Sequence, residues 1–490
     1  MSMGRALRCW CLAAACGVAS CAVGPDWQRP QVATPTAWRI DYPRASAMAK
    51  TRWWEAFGDP ELNQLVTDAL QRNLDLAQAA ARVDQFLGAL RTTRSQFWPQ
   101  FDYGIDASRY RSTQNGPLPS VPGADRDYSL YDAALGASWQ IDLFGRVRRQ
   151  SESVQAQVFA SEQGRRGVVL SVVSSVTTGY ILLRALDRQL EIARATAQNY
   201  EGSLRLFEMR HEGGVVSEVE RSQVESQYQQ AQAAVPSLER QVAQQENLLS
   251  VLLGRNPGSI PRGKGIEQLL DPAIPPDLPS SLLERRPDVL QAEHNLHAAN
   301  AEIGVAKSLY FPTLSLTGLL GVTSTSLSDL ADSASESSSA TASLLGPLFT
   351  FGRIKGQVQT AEAAQREALA AYQQVVLNAF RETNDALVGV EKRHAEYAAL
   401  AKRASALRVY AGLSRDRFEG GAASYLEVLY AENELFGAEL AAVLALGQRY
   451  AELINVYKAL GGGWVDKADP LAREPLSAGA TDRPEAAATR

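Results

Sequence analysis

The sequence predicts a mostly α-helical chain, written twice as a tandem repeat, that also contributes strands to a membrane β-barrel. Three observations carry this. Arg-x-Glu-Gly-Gly followed by Ser-x-x-Glu occurs in RHEGGVVSEVERS, starting at Arg210, and again in RFEGGAASYLEVL, starting at Arg417, an offset of 207. A long, proline-free helical pattern precedes each motif. Upstream of each lie segments in which apolar and polar residues alternate.

The N-terminus comes first. Residues 1–20 have Arg5 and Arg8, the apolar run CWCLAAACGVA and a small-residue end at Ser20, the pattern of a secretory signal. All four cysteines, Cys9, Cys11, Cys16 and Cys21, fall within the first 21 residues, which excludes disulfides and thiolate metal sites in the body. Val18-Ala19-Ser20-Cys21 resembles a lipoprotein box in which Cys21 becomes the acylated, palmitate-bearing first residue. Ordinary cleavage beside an incidental cysteine is the alternative, and Cys16 is a weaker rival. Ala22 in place of Asp fits the outer membrane, by resemblance to lipoprotein sorting. Residues 21–61 are then a lipid-anchored extension.

Repeat one spans 62–254 and repeat two 282–461. At the 207 offset, Phe144-Gly145-Arg146 falls on Phe351-Gly352-Arg353, Gly213-Gly214 on Gly420-Gly421, and Leu253-Gly254 on Leu460-Gly461. Upstream, Pro99 pairs with Pro312 and Asp75 with Asp288 at an offset of 213, so the first copy has six extra residues before its Phe-Gly-Arg. Self-similarity at a fixed period marks a duplication.

Each repeat opens with a helical segment, Leu62 to Phe97 or Leu282 to Leu309, that stops at a proline. The alternating segments follow. In YDAALGASWQIDLF, Tyr131, Ala133, Leu135, Ala137, Trp139, Ile141 and Leu143 form an apolar row, and Asp132, Gly136, Ser138, Gln140 and Asp142 a polar or small one. One apolar and one wet face suit a transmembrane β-barrel, the alternative being a soluble hairpin over a core. Phe101, Tyr103 and Ile105 continue the pattern, as do Leu314, Leu316 and Leu320; the strand ending Leu348-Phe349-Thr350 is less regular. Two hairpins give four strands, too few to close a barrel, so the chain should oligomerise.

After Phe-Gly-Arg an unbroken helical pattern runs to Arg210 or Arg417. Arg146 to His211 would span about 99 Å at 1.5 Å per residue. Gly-Gly ends this helix. Ser217-x-x-Glu220 and Ser424-x-x-Glu427 have capping-box spacing, so a second helix begins at once and the motif is a hairpin tip. The returning helix, Val219 to Leu253, carries Val224, Tyr228, Ala231, Val235, Leu238, Val242, Leu249 and Leu252 at coiled-coil spacings, and its twin carries Leu426, Leu429, Phe436, Leu440, Val443, Tyr450, Ile454 and Tyr457. Pro236 predicts a kink in the first copy. No run of 18 apolar residues follows the signal, which argues against a transmembrane helix. The Pro- and Gly-rich linker 255–281 joins the repeats, and the tail 462–490 reads as disordered.

Several functions are disfavoured. A net charge of -5 does not suit a nucleic-acid partner. GSIPRGKG, from Gly258, nearly spells a phosphate loop but lacks the final Ser/Thr and contains Pro261. His294 and His297 beside Glu293 lack a third zinc ligand, and the isolated His211 and His394 read as solvated. No catalytic constellation emerges, so neither an enzyme nor a cofactor or metal site is expected.

Together these pieces resemble the TolC-like outer-membrane efflux family, in its NodT-type lipoprotein branch, over nearly all of 62–461. The most specific stretch is LLERRPDVLQAEHNLHAANAEIGVAKSLYFPTLSLTG, from Leu282, and CAVGPDWQRP and both Phe-Gly-Arg motifs also fit. The resemblance implies a homotrimer with a 12-strand outer-membrane β-barrel continued by a 12-helix periplasmic α-barrel, the shorter helices stacked end to end beside the long ones. It implies a passive exit duct for small molecules such as drugs, driven by an inner-membrane pump, of the RND type first of all, through a periplasmic adaptor. A type I protein-secretion duct shares the architecture; a structural coiled-coil lipoprotein is a further alternative, against which the amphipathic hairpins argue.

The resemblance also assigns residues. Arg210, Gly213, Gly214 and Ser217, with Arg417, Gly420, Gly421 and Ser424, form the periplasmic tips that meet the adaptor. Glu427, and by the internal repeat Glu220, would ring the closed aperture. Two carboxylates about 5 Å apart repel by about 3.3 kcal/mol at an effective dielectric of 20, so such a ring would resist closure and favour cations. The spacing itself favours a capping role for these glutamates. Tyr430 and Ala423 depart from the family pattern, where some members carry an acid and an arginine that stabilise closure.

Overall fold

The computed structural model of the chain describes residues 22–32, 34, 52–111, 113, 126–272 and 282–461. The signal, Cys21 and the tail lie outside the described residues. The helices are α1 (Pro60–Arg72), α2 (Leu74–Ser95), α3 (Arg146–Glu212), α4 (Glu218–Leu252), α5 (Leu282–Arg285), α6 (Pro287–Ser308), α7 (Arg353–Glu419) and α8 (Tyr425–Ala459). The strands are β1 (Gln100–Arg111), β2 (Asp127–Ile141), β3 (Thr313–Ser324) and β4 (Glu336–Leu345). Helices α3 and α7 have 67 residues each, α4 and α8 have 35 each, and the members of each pair start 207 residues apart.

The first helical segment of each half is not one helix, as the sequence pattern suggested, but two. The breaks fall at Asn73 and Arg286, 213 residues apart. Asn73 turns the backbone out of the helix, and its Oδ1 accepts from the N–H groups of Asp75 (2.9 Å) and Leu76 (3.1 Å), which caps α2. Its Nδ2 donates to the carbonyl of Leu252 (2.8 Å), the last residue of α4. Arg286 does the corresponding work through a longer arm. Its Nη1 donates to the carbonyl of Ala459 (3.0 Å), the last residue of α8, while Asp288 (2.6 Å) and Glu382 (2.7 Å) hold the guanidinium. Pro287 supplies the first helical residue of α6, where a missing N–H is harmless. The C-terminus of each returning helix therefore meets the N-terminus of a shorter one. Gly254 and Gly461 follow these junctions at φ +65° and +73°, and a Cβ on Gly254 would lie 2.1 Å from the Arg72 carbonyl oxygen.

The chain divides into two compact units, each drawing on both halves of the sequence. One unit, residues 32–82, 162–291 and 373–490, is helical. Its core gathers Trp53, Trp54 and Phe57 from a 3₁₀ turn, Leu62 and Val66 from α1, Val173 to Leu183 from α3, and Leu453 and Ile454 from α8, with Trp53 stacked on Tyr457 at 5.0 Å. Burial pushes the Tyr457 hydroxyl up to about 12. A stretch of α3 is long and apolar enough in composition to cross a membrane, but 67% of it is buried within the protein, so its apolar character is that of a core helix. Helix α4 runs as one helix across Pro236.

The other unit, residues 1–31, 83–161 and 292–372, holds the strands. They form one antiparallel sheet in the order β1-β2-β3-β4. The register gathers apolar side chains on one face: Tyr103 faces Leu135, Leu135 faces Leu320, and in another row of the same face Leu314 faces Leu344. Phe101, Tyr103 and Ile105 are 77 to 80% exposed on this face. The other face is mainly polar or small, with Asp106 opposite Asp132 and Asp132 bonded to the Thr323 hydroxyl at 2.6 Å, and Leu319, Leu345 and the Tyr110–Tyr128 pair also lie on it. Contrary to the sequence expectation, Leu348-Phe349-Thr350 lie outside β4, which stops at Leu345 where its pairing with β3 ends at Thr313.

Candidate functional site

Both hairpin tips lie in the helical unit, and their turns are built alike. At the end of α3, Gly213 N–H donates to Met209 (3.1 Å) and Val215 N–H to the Arg210 carbonyl (2.8 Å), with Gly214 at φ +71°. At the end of α7, Gly420 N–H donates to Asp416 (3.0 Å) and Ala422 N–H to the Arg417 carbonyl (2.7 Å), with Gly421 at φ +74°. These are glycine-dependent helix stops whose last carbonyls are satisfied by the turn itself.

The glutamates then part company. Ser217 and Glu220 form the expected capping box: Ser217 N–H donates to Glu220 Oε2 (2.7 Å), and Glu220 N–H to Ser217 Oγ (3.3 Å). The hydrogen bonds from Ser217 hold the Glu220 carboxyl below its usual range. Arg221 does the same for Glu218, down to about 2. Ser424 occupies the same backbone conformation as Ser217, but its side chain caps nothing, which corrects the second capping box. The reason lies ten residues upstream. Arg417 Nη1 binds Glu427 Oε1 at 2.9 Å, with the Ser414 hydroxyl near its limit at 3.5 Å, and so draws the carboxylate across to α7. The matching Arg210 instead lies over the Phe207 ring at 5.9 Å. Tyr430 is exposed on α8.

Beneath the turns, Phe207, Val224, Ala231 and Leu429 form a shared core in which Phe207 meets Tyr425 at 4.3 Å and Phe418 meets Tyr425 at 5.0 Å. His211, expected to be solvated, is engaged: its ring contacts the Val216 carbonyl (3.1 Å) and Glu218 (3.2 Å). His394 is exposed.

The remaining motifs have local partners. In GSIPRGKG, Gly263 N–H donates to the Tyr180 hydroxyl (2.8 Å) and Lys264 N–H to Asp59 (3.0 Å), so a resident carboxylate occupies the anion position. A Cβ on Gly263 would come within 2.1 Å of Asp59 Oδ1. His297 bonds Glu152 at 3.1 Å and stacks on Trp27 at 4.7 Å, whereas Glu293 pairs with Arg29 at 2.7 Å. His294 lies by Phe159, and burial lowers its pKa. No motif marks the clamp on the segment after Cys21, where the buried Arg149 guanidinium binds Asp26 (2.7 Å) and the Val23 carbonyl (3.3 Å).

The family model described as outer membrane efflux protein matches residues 65–255 and 278–462. The probable outer membrane lipoprotein SilC of Salmonella typhimurium is 31% identical over 450 residues, 91% of this chain and 96% of that protein. The solvent efflux pump outer membrane protein SrpC of Pseudomonas putida is 32% identical over 455 residues, 91% and 96% respectively. Among solved structures, the open state of the Neisseria gonorrhoeae MtrE outer membrane channel matches with a TM-score of 0.82 at 29% identity, covering 91% of this chain and 99% of that one.

Proposed function

Because this chain belongs to the outer membrane efflux protein family, we propose that it is the exit duct of a tripartite efflux system, assembled as a homotrimer. Three tandem-repeat copies would close a 12-strand barrel in lipid and a 12-helix barrel below it. Small molecules such as drugs, or solvents by analogy with SrpC, would leave passively through its lumen, driven by an inner-membrane pump of RND type through a periplasmic adaptor. The observation that carries this reading is the two-faced sheet, since large apolar side chains 77 to 80% exposed on one face of a water-soluble sheet would be strongly unfavourable and in a bilayer are favourable. The anchor would be acylated Cys21, next to the clamped segment. The tips at Arg210, Gly213, Gly214 and Ser217 and at Arg417, Gly420, Gly421 and Ser424 would meet the adaptor, with Glu220 and Glu427 at the aperture.

The test is reconstitution. Protein extracted from outer membranes is expected to run as a urea-resistant trimer and to conduct ions in planar bilayers; a monomer without conductance would refute the duct. Glu220→Gln combined with Glu427→Gln is expected to lower cation preference, and an unchanged preference would remove both glutamates from the aperture while leaving the duct intact.

A further inference from the structure

Each Phe-Gly-Arg ends in an arginine that opens a long helix, Arg146 for α3 and Arg353 for α7. Both line one cavity of about 310 Å³ in the strand-bearing unit, where the ends of β2, β3 and β4 meet the helices. Neither guanidinium has a hydrogen bond or an ion pair among the described residues. Asp142 is the one acid in the lining, and it is already engaged: its carboxylate accepts from the N–H groups of Val147 (3.2 Å) and Arg148 (2.9 Å) at the start of α3. The other walls are largely apolar. Ile141, Leu143, Phe311 and Pro347 contribute, with Phe311 fixed by its stack on Phe144 at 4.7 Å. Gln140, Thr313 and Leu345 bring in the wet face of the sheet, where Leu345, 71% exposed, is a large apolar side chain on a mainly polar or small surface.

We infer that this cavity holds an amphipathic anion, its carboxylate, sulfonate or phosphate on Arg146 and Arg353 and its apolar body against Leu143, Phe311 and Leu345. Two unpaired cations converging on an apolar hollow have the make-up of a small-molecule site, mostly apolar with a few polar groups that fix orientation. Guanidinium groups suit such oxyanions because their N–H donors meet them in pairs. The site is complete within one copy of the chain, and only its role as a contact for cargo rests on the duct proposed above. Gln140, Thr313 and Leu345 favour a molecule arriving from the lumen; an anionic lipid of the adjoining leaflet has the same chemistry.

Paired probes test the site. The full chain in phosphatidylcholine nanodiscs is titrated with anilinonaphthalene sulfonate and with its neutral twin phenylnaphthylamine, and the fluorescence of empty discs is subtracted. The sulfonate is expected to bind saturably. Arg146→Gln combined with Arg353→Gln should weaken it at least about tenfold, as the loss of charge-assisted hydrogen bonds requires, and leave the neutral probe unchanged. Leu345→Asp, at an exposed position that keeps both arginines, should weaken the sulfonate likewise. Circular dichroism reports whether each variant is folded, and Leu345→Asp decides alone if the double variant is not. Equal binding of the two probes, or sulfonate binding unchanged in the folded variants, overturns the site. Displacement of the sulfonate by phosphatidylglycerol added to the disc assigns the site to a lipid, and persistence assigns it to a lumenal molecule; both uphold the anion site. Selective binding by protein that does not conduct would sink the duct alone, and conductance without selective binding would sink the site alone.

Discussion

The two hairpin tips match in backbone and differ in where their charges act. In the first, acidic groups serve mainly their own helix: Glu220 caps α4, and Glu218 pairs with Arg221 at 2.6 Å while also reaching His211 of α3 at 3.2 Å. In the second, they cross from helix to helix. Arg403 pairs with Glu434 (2.7 Å), Arg408 with Glu439 (2.6 Å), Arg415 with Glu432 and Arg417 with Glu427, all from α7 to α8. Between α3 and α4 the arginine-carboxylate tie is Arg194 to Glu239 at 2.7 Å, beside the His211–Glu218 contact at the turn. A duplicated turn can therefore keep its geometry while one copy fixes the start of a helix and the other fixes the spacing between two helices. Separating α7 from α8 must break ion pairs, which respond to salt; separating α3 from α4 largely leaves the local pairs of α4 intact.

Perturbations graded by size would sharpen or break this contrast. The largest should not discriminate. Phe207→Ala empties the core shared by both tips, at about 3–5 kcal/mol, and hydrogen exchange should rise at both turns; exchange rising at one turn alone would mean the tips are independent. Gly214→Ala and Gly421→Ala each force a side chain into the left-handed region, at about 1–2 kcal/mol, and should loosen their own turns equally in the same measurement. Asymmetry should appear with the caps. Ser217→Ala should cost about 1 kcal/mol and fray α4, whereas Ser424→Ala should leave the start of α8 unchanged. Equal effects would restore the second capping box.

Smaller effects come from the charges. Arg417→Gln should raise proteolytic nicking of the second tip at low ionic strength by an amount worth about 0.2–1 kcal/mol, and 0.5 M salt should erase the difference from the parent. The pH response belongs to the first tip. The Glu220 carboxyl is lowered in the folded state, so its contribution is complete above the free carboxyl range of about 4.3 and is lost as pH falls through the lower folded value. Protection from exchange at the start of α4, measured against the intrinsic amide rate at each pH, should fall on acidification in that window, and Glu220→Gln should flatten the response.

Much of the helical hairpin could be read from residue order because its signals are local. Phe-Gly-Arg, Gly-Gly and Ser-x-x-Glu punctuate the chain where the backbone turns, and the helix ends fall within a residue or two of those marks. The breaks at Asn73 and Arg286 escaped because the helical periodicity runs straight through them, although an Asn cap and Pro287 were visible signals. What failed was non-local. Ser424 and Glu427 have the right spacing for a box, and only the folded approach of Arg417 undoes it. The strand past Leu345 failed for a related reason, since extended backbone needs a neighbour that the single chain does not supply. The Arg149 clamp carried no sequence signal, because Val23 and Asp26 lie more than 120 residues from it.

The junctions at Asn73 and Arg286 give the molecule articulated columns beside rigid ones. A side-chain hydrogen bond can swivel through angles that a continuous helix resists, and each of these swivels joins a shorter helix to the end of α4 or α8, while α3 and α7 pass without interruption. Any tilt of a returning helix therefore has a pivot at residue 252 or 459, and the length of the long struts need not change to permit it.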